Sequence, residues 1–531
     1  MKHYQHGNPK PEFVIGLAGP VGTDLSKVTN AIDFELRGFG YHTVPIRVSD
    51  LVKAWCTEEI QALISGATEE MRINYLMNSA DLLRERVGKG AALIPLVVTA
   101  IRSYRQKFLL AEDCDKDFDE IELYNHCFVV NSLKHPDEVN LLRSLYGDKF
   151  FMISVNSPLQ KRRQLLRSAV ARSYSTTDES VYEEKVNALI NKDRRRSGTE
   201  LGQNISGTFH LADAFIRSGD CLATDVKRIF KAFFAHPNVT PTRNEAAMFE
   251  ASANALRSAD LSRQVGAVIA NERLEIIARG CNEVPVAGGD SYWPDDLDVD
   301  DNRDYSEGKD YNAVKKDEII RELIQFLGAI EIIQLKNDTT AGEIVDQLVR
   351  GPYKQQFKDL RISNLIEFGR MVHAEMFALM EAARRGLPVQ NGVLYCTTFP
   401  CHMCSRHIIA SGIREVVYIE PYPKSMATEL YRDEIEVDVD QEEVLRARKS
   451  FPRKVYFQPF YGLAPRKYSA AFQMPRRKGE DGYALPWSRE KAQPKWVRLS
   501  KSHLSRELAL VQILGHIKEI NDLEAVKRDS V

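Results

Sequence analysis

Two short motifs, His373-Ala374-Glu375 and Pro400-Cys401-His402-Met403-Cys404, constrain this chain more than any other feature. A histidine and two cysteines so spaced can meet only if the chain between them doubles back. The pattern between and after them allows this, reading as helix, strand, helix, strand over His373–Arg385, Gly392–Thr398, Cys401–Ala410 and Glu415–Glu420. Each motif opens a helix, so the three side chains converge from two neighbouring helix amino termini. Gly386 and Gly412 stand just past the two helices, where a left-handed cap costs glycine little.

One imidazole and two thiolates are a suitable ligand set for catalytic zinc, which takes three protein ligands and leaves a fourth position for water. The positive ends of the helices favour thiolate over thiol. Glu375 would fill the open position if it were a ligand, so it is expected beside the water as the proton shuttle. Either fragment alone fits a core histidine or buried thiols. Together, His-x-Glu followed by Pro-Cys-x-x-Cys is the signature of zinc nucleobase deaminases, and one catalytic Zn2+ per chain, held by His373, Cys401 and Cys404, is expected. His402 and His407 fall inside the second helix and read as packing or surface residues.

The 531 residues suggest about three units. With 44% hydrophobic and 27% charged residues, the composition is that of a globular protein. A formal charge of −2 gives no general basic field for a polynucleotide, which favours small ligands. No apolar core for a secretory signal lies in Met1–Phe13, and the longest apolar run, Ala91–Ile101, is about half of the roughly 20 residues that cross a bilayer. No membrane contact is expected, and eight cysteines without a disulfide-scaffold pattern suit a reducing cytoplasm.

The fold class is α/β. From residue 12 to about 235, short apolar runs (Phe13–Ala18, Cys127–Val130, Phe150–Val155) alternate with helical patterns, implying a parallel sheet flanked by helices. The two prolines of His236–Pro241 mark a linker. The second unit, residues 242–475, opens with a helix over Glu245–Leu256 and strands over Val265–Ala270 and Glu275–Cys281. An insertion follows at about 286–366. A basic tail over 476–531 ends in an amphipathic helix with an apolar stripe of Leu504, Leu508, Val511, Leu514 and Ile517.

From about Glu245 to Glu420 the chain resembles the deoxycytidylate deaminase branch of the cytidine-deaminase superfamily. Arg263-Gln264-Val265-Gly266-Ala267-Val268-Ile269 is similar to that family's first core strand, and Gly280-Cys281-Asn282-Glu283-Val284-Pro285 to its Gly-x-Asn-x-x-Pro loop. The resemblance implies a cytidine-deaminase-like α/β/α domain in which Asn282 contacts the sugar, Thr397 lies near the base, and Arg263, Ala374 and Lys424 contribute to substrate binding. Glu283 departs from the glycine usual after that asparagine. Asn282 also fits a turn-forming residue after a strand. The whole arrangement resembles the bacterial antiphage dCTP/dCMP deaminases, through Asn131–Val139, Leu201–Asn204, Ala212–Phe215 and Pro421–Ser425. That likeness implies an amino-terminal P-loop kinase-like domain over 1–235, an inhibitory small RNA and a homo-oligomer.

In a working Walker A loop, a lysine neutralises the outer phosphates and a hydroxyl holds Mg2+. The corresponding window is Gly19-Pro20-Val21-Gly22-Thr23-Asp24-Leu25-Ser26, with Asp24 replacing the second glycine and Leu25 the lysine. The loop is therefore degenerate. Gly19, Gly22, Thr23 and Ser26 are its remaining nucleotide-binding candidates, for a nucleoside triphosphate with or without Mg2+, and the other reading is a structural platform.

Two regions leave alternatives open. The Asp-rich loop Trp293–Asp304 lacks EF-hand spacing and reads as a solvated insertion before a calcium site. Between Arg476 and Lys501, eight Lys or Arg residues interleave with Tyr483, Trp487 and Trp496, which suits either RNA or packing on a neighbouring subunit. The leading function is deamination of free deoxycytidine nucleotides, dCTP and dCMP; its rival is deamination of a polynucleotide.

Overall fold

The computed structural model describes residues 9–111, 122–194, 200–296, 300–335, 339–358, 360–422, 424–439, 454–474, 476–497 and 502–512. It divides into two compact units: Met1–Glu245 with Tyr461–Val531, and Ala246–Phe460.

The first unit is built on strands β1 (Phe13–Ala18), β2 (His42–Arg47), β3 (His126–Asn131), β4 (Phe150–Asn156) and β5 (Ala214–Arg217). All five are parallel, in the spatial order β5-β4-β1-β3-β2. Every residue of β1 and β3 is buried, as a parallel sheet covered on both faces requires. The β2 sequence His-Thr-Val-Pro-Ile-Arg gives no such apolar run, because it is an edge strand. Its Pro45 is tolerated where a ladder hydrogen bond is not needed on the outer side.

Leaving the second unit, the chain returns to this sheet. A short strand, Gly462–Leu463, pairs antiparallel with β5, and Ala492, Trp496 and Val497 enter the first unit's core. Within the segment anticipated as a basic tail, Trp487, Ala492, Trp496 and Val497 thus pack on the first unit's core, whereas Arg476, Arg477 and Lys478 stay exposed. Trp487 donates from its indole N–H to the Phe234 carbonyl, and Arg489 lies over the Phe39 ring. Two of the three aromatics offered for stacking on RNA are committed to packing, and Tyr483 alone of them is exposed. Of the terminal apolar stripe, Leu504 is buried while Leu508 and Val511 are half-buried on a helix that includes residues 502–512; Leu514 and Ile517 lie outside the described residues.

The second unit has its own sheet. Strands β6 (Gly266–Ala270), β7 (Ile276–Cys281), β8 (Val393–Thr398), β9 (Glu415–Glu420), β10 (Ile435–Val437) and β11 (Val455–Pro459) take the order β10-β11-β9-β8-β6-β7. The pairs β8/β9, β9/β11 and β10/β11 are parallel; β6 runs antiparallel to both its neighbours. The two motif helices span Ala374–Arg384 and His402–Ala410, and Gly386 and Gly412 take the anticipated left-handed backbone, with φ of +66° and +77°.

Two glycines set the helix-to-sheet spacing. A Cβ on Gly280 of β7 would stand 2.5 Å from the Ala374 carbonyl oxygen and 2.6 Å from the Ala378 nitrogen. One on Gly266 would stand 2.0 Å from the Ala251 carbonyl oxygen. Hydrogen at these positions lets the helices lie directly on the strands, which fixes the start of the first motif helix against β7. The insertion carries helices Tyr311–Ala329 and Ala341–Val349 around a small core of Ile320, Ile324, Ala341 and Val345.

Candidate metal centre and active site

His373 and Cys401 are the residues that cap the two motif helices, and Cys404 lies within the first turn of the second. The three side chains meet. His373 Nδ1 lies 3.3 Å from Cys401 Sγ and 3.4 Å from Cys404 Sγ, and the three ligand atoms fall within 4.8 Å of one another. Typical Zn–S and Zn–N bonds of about 2.3 and 2.0 Å at a tetrahedral angle separate sulfur from nitrogen by about 3.5 Å. The cluster therefore has the size and donor set of a zinc site.

The electrostatics agree with the donor chemistry. The Cys401 thiol is drawn down to about 4, first by its hydrogen bond with Cys404 and then, against burial, by the His373 ring. Burial alone would lower the imidazole, but its hydrogen bond to Cys401 and that sulfur's charge carry it up to about 9. The Cys404 thiol goes up, through its bond to Cys401 and its burial. Such ligands bind a metal in their deprotonated forms, so a divalent cation held by this imidazole and these two sulfurs would displace their protons.

Glu375, 4% exposed, occupies the first turn of the first motif helix. Burial, then the Cys401 charge, raises its carboxyl above the ordinary carboxylate range. A carboxyl so placed can exchange a proton beside the metal position.

The other expected site residues fall into two groups. Asn282 is 5% exposed and spends both ends of its amide on backbone: Oδ1 accepts from Val265 N at 2.6 Å and Nδ2 donates to Arg263 O at 2.8 Å. Thr397 Oγ1 accepts from Gly266 N at 3.1 Å. Both hold the entry to β6, while Ala374 is buried at the first position of its helix. At a more exposed level, Arg263 pairs with Glu420 at 3.0 Å and lies over the Tyr422 ring, and Lys424 is exposed.

Glu283 is the residue whose importance the sequence understated. It is 2% exposed, accepts from Ala259 N at 2.7 Å, and exchanges backbone hydrogen bonds with Val372, next to the histidine ligand. A carboxylate where glycine is usual was the available signal. The acidic insertion loop is answered by arginines: Asp301 pairs with Arg303 at 2.7 Å, and buried Asp304 with Arg370 at 3.4 Å. Asp298 lies outside the described residues.

In the first unit, Gly19, Gly22 and Thr23 lie on the turn from β1 into the Leu25–Arg37 helix, and Ser26 is the second residue of that helix. Gly22 needs its φ of +86°, and the Ser26 hydroxyl accepts from Arg47 at 3.2 Å. Asp24 caps the helix by accepting from Lys27 N. No described helix is long and apolar enough to cross a membrane.

The cytidine and deoxycytidylate deaminase zinc-binding region is the family whose pattern matches, over residues 241–420. The chain carries a cytidine/deoxycytidylate deaminase-type domain in its carboxy-terminal region. Among curated relatives, ComE operon protein 2 of Bacillus subtilis (strain 168) is 33% identical over 75 residues, 14% of this chain and 40% of that protein. The deoxycytidylate deaminase of Enterobacteria phage T4 is 41% identical over 54 residues, 10% of this chain and 28% of the phage protein. That of Saccharomyces cerevisiae (strain ATCC 204508 / S288c) is 51% identical over 51 residues, 10% and 16% of the two chains. The chain thus spans less than half the length of these relatives. Among solved structures, the dCMP deaminase of cyanophage S-TIM5 in complex with dCMP and dUMP is 17% identical, with 42% of this chain and all of that one covered, at a TM-score of 0.22. A superposition this loose carries no argument.

Proposed function

We propose that the second unit hydrolyses the exocyclic amine of free deoxycytidine nucleotides, dCTP and dCMP, yielding deoxyuridine nucleotides and ammonia, and that the resulting depletion serves antiphage defence. The observation that carries this reading is the meeting of the His373, Cys401 and Cys404 ligand atoms within 4.8 Å, with Glu375 buried in the first turn of the helix that His373 caps. His373, Cys401 and Cys404 would hold the zinc, which when bound would supply a water acidic enough to ionise near neutral pH. Glu375 would accept that proton and return it to the nitrogen leaving C4 of the base, so that an oxygen from water replaces the amino group, ammonia departs and the carboxylate is regenerated. Asn282 and Thr397 act as positioning residues, holding the strand entry from which Arg263 reaches the exposed rim.

A free nucleotide is favoured over a polynucleotide by the net charge of −2 and by the packing of Trp487 and Trp496 in the first unit's core, which withdraws two of the three aromatics that could stack on bases. The first unit, on this reading, regulates or assembles the enzyme and is not an ATP-dependent kinase. Purified protein is offered dCTP, dCMP, cytidine and a C-containing oligonucleotide in parallel, with product mass as readout. Conversion of dCTP or dCMP in preference to the others is expected; faster conversion of the oligonucleotide would transfer the assignment to the polynucleotide reading.

A further inference from the structure

In an open parallel sheet, ligands bind outside the carboxyl ends of the strands, where the strand order reverses. In the first unit that place is β1, whose neighbours β3 and β4 lie on opposite sides of it. The Gly19–Asp24 turn leaves β1 here and enters a helix of 13 residues, so it has the position of a phosphate loop. Its space is taken by a side chain. Asp193, near the end of the Glu183–Arg194 helix and 1% exposed, accepts from Val21 N at 2.6 Å through one carboxylate oxygen and from Lys134 Nζ at 2.8 Å through the other. A backbone N–H and an ammonium are the donors that a phosphoryl oxygen takes.

We propose that Asp193 is an internal plug, a carboxylate standing in for phosphate, and that the loop is an anion cradle held closed by its own chain. The surrounding bonds fit a closed state. Lys134 also donates to Gly19 O at 2.8 Å, and Arg162 donates to Val21 O at 3.3 Å, so both cations grip the loop. Three further amides are turned inward: Thr23 N donates to Pro20 O, Leu25 N to Thr23 O and Lys27 N to Asp24 Oδ1. A phosphate entering this space meets a buried negative charge in the place of its own oxygens, and that repulsion is what keeps it out. Loss of the carboxylate leaves Val21 N–H and Lys134 without their anion and opens the cradle to a phosphoryl group, whether of an inorganic polyphosphate or of a nucleotide tail. This inference is independent of the deaminase reading.

The test is calorimetric titration of the full chain with tripolyphosphate and, separately, ATP, using wild type, Asp193→Ala and Asp193→Asn, with circular dichroism and zinc content as checks of folding. The wild type is expected to show no saturable binding in the millimolar range, and at least one Asp193 variant to gain affinity at least tenfold for either probe. Adding Lys134→Ala should remove that gain. Tight binding by the wild type equal to that of the variants, or folded variants that bind neither probe, would overturn the proposal. So would misfolding of both variants, because a carboxylate the fold cannot lose is a structural bond and not a plug.

Discussion

Both units place polar groups at helix amino termini, and they finish those groups in opposite ways. In the first unit the loop after β1 is closed by the chain itself, with Asp193, Lys134 and the Val21 amide satisfying one another. In the second, His373, Cys401 and Cys404 converge as one imidazole and two sulfurs with no side chain to neutralise them among the described groups, a set that a cation completes. A helix start is therefore no guide to function alone. What separates the two is whether the converging side chains neutralise each other or share an excess of one kind of donor.

The contrast can be broken most sharply at Glu375. Glu375→Ala should lower turnover by about 10^2- to 10^4-fold, the usual worth of a positioned proton carrier, while zinc content stays at the wild-type level. A variant with wild-type turnover would remove the proton shuttle from the account.

The first unit's habit of internal neutralisation predicts large stability losses without chemical ones. Arg105 is buried between Glu12 and Glu507, each at 2.5 Å, so Arg105→Ala takes the main counter-charge from two buried carboxylates, leaving Glu12 the Leu123 N–H and Glu507 the Arg102 guanidinium at 3.8 Å, and should cost about 3–5 kcal/mol of stability. Denaturant unfolding checks this; a loss below about 1 kcal/mol would mean that the carboxylates find other partners.

Gly280→Ala tests whether close helix-to-sheet contact sets the metal geometry. Overpacking of this kind costs about 1–3 kcal/mol, and the displaced helix start should weaken zinc retention against a chelator. Unchanged retention would separate the packing from the site. Asn282→Ala should cost a similar 1–3 kcal/mol, roughly the penalty for unpaired buried backbone groups, and impair dCMP turnover with zinc intact. Wild-type turnover in that variant would take Asn282 out of the positioning role. The smallest effect belongs to the Arg263–Glu420 pair, which is partly exposed on both sides: Arg263→Gln should change stability by less than about 1 kcal/mol, measured by thermal unfolding.

Much of this was legible from residues alone, for definable reasons. The motif helices, β8 and β9 were readable because apolar period, cap glycines and ligand chemistry agreed over Ala374–Glu420. Strand β2 was not, since an edge strand needs no continuous apolar run and tolerates Pro45. The docking of Trp487 and Trp496 was equally hidden, because a basic segment with aromatics has the same composition whether it binds RNA or covers its own core. The plug at Val21 depends on Asp193, far along the chain, and no local pattern announces such a pairing. Likewise Glu283 looked like a departure from a loop pattern until its burial against Ala259 N gave it a partner.

The most direct measurement is zinc per chain, by elemental analysis, in the wild type, Cys401→Ser, Cys404→Ser and Glu375→Ala, alongside dCMP turnover of the same preparations. The account predicts one zinc in the wild type and in Glu375→Ala, loss of zinc in both serine variants, and turnover in the wild type alone. Full zinc with turnover in either serine variant would contradict it.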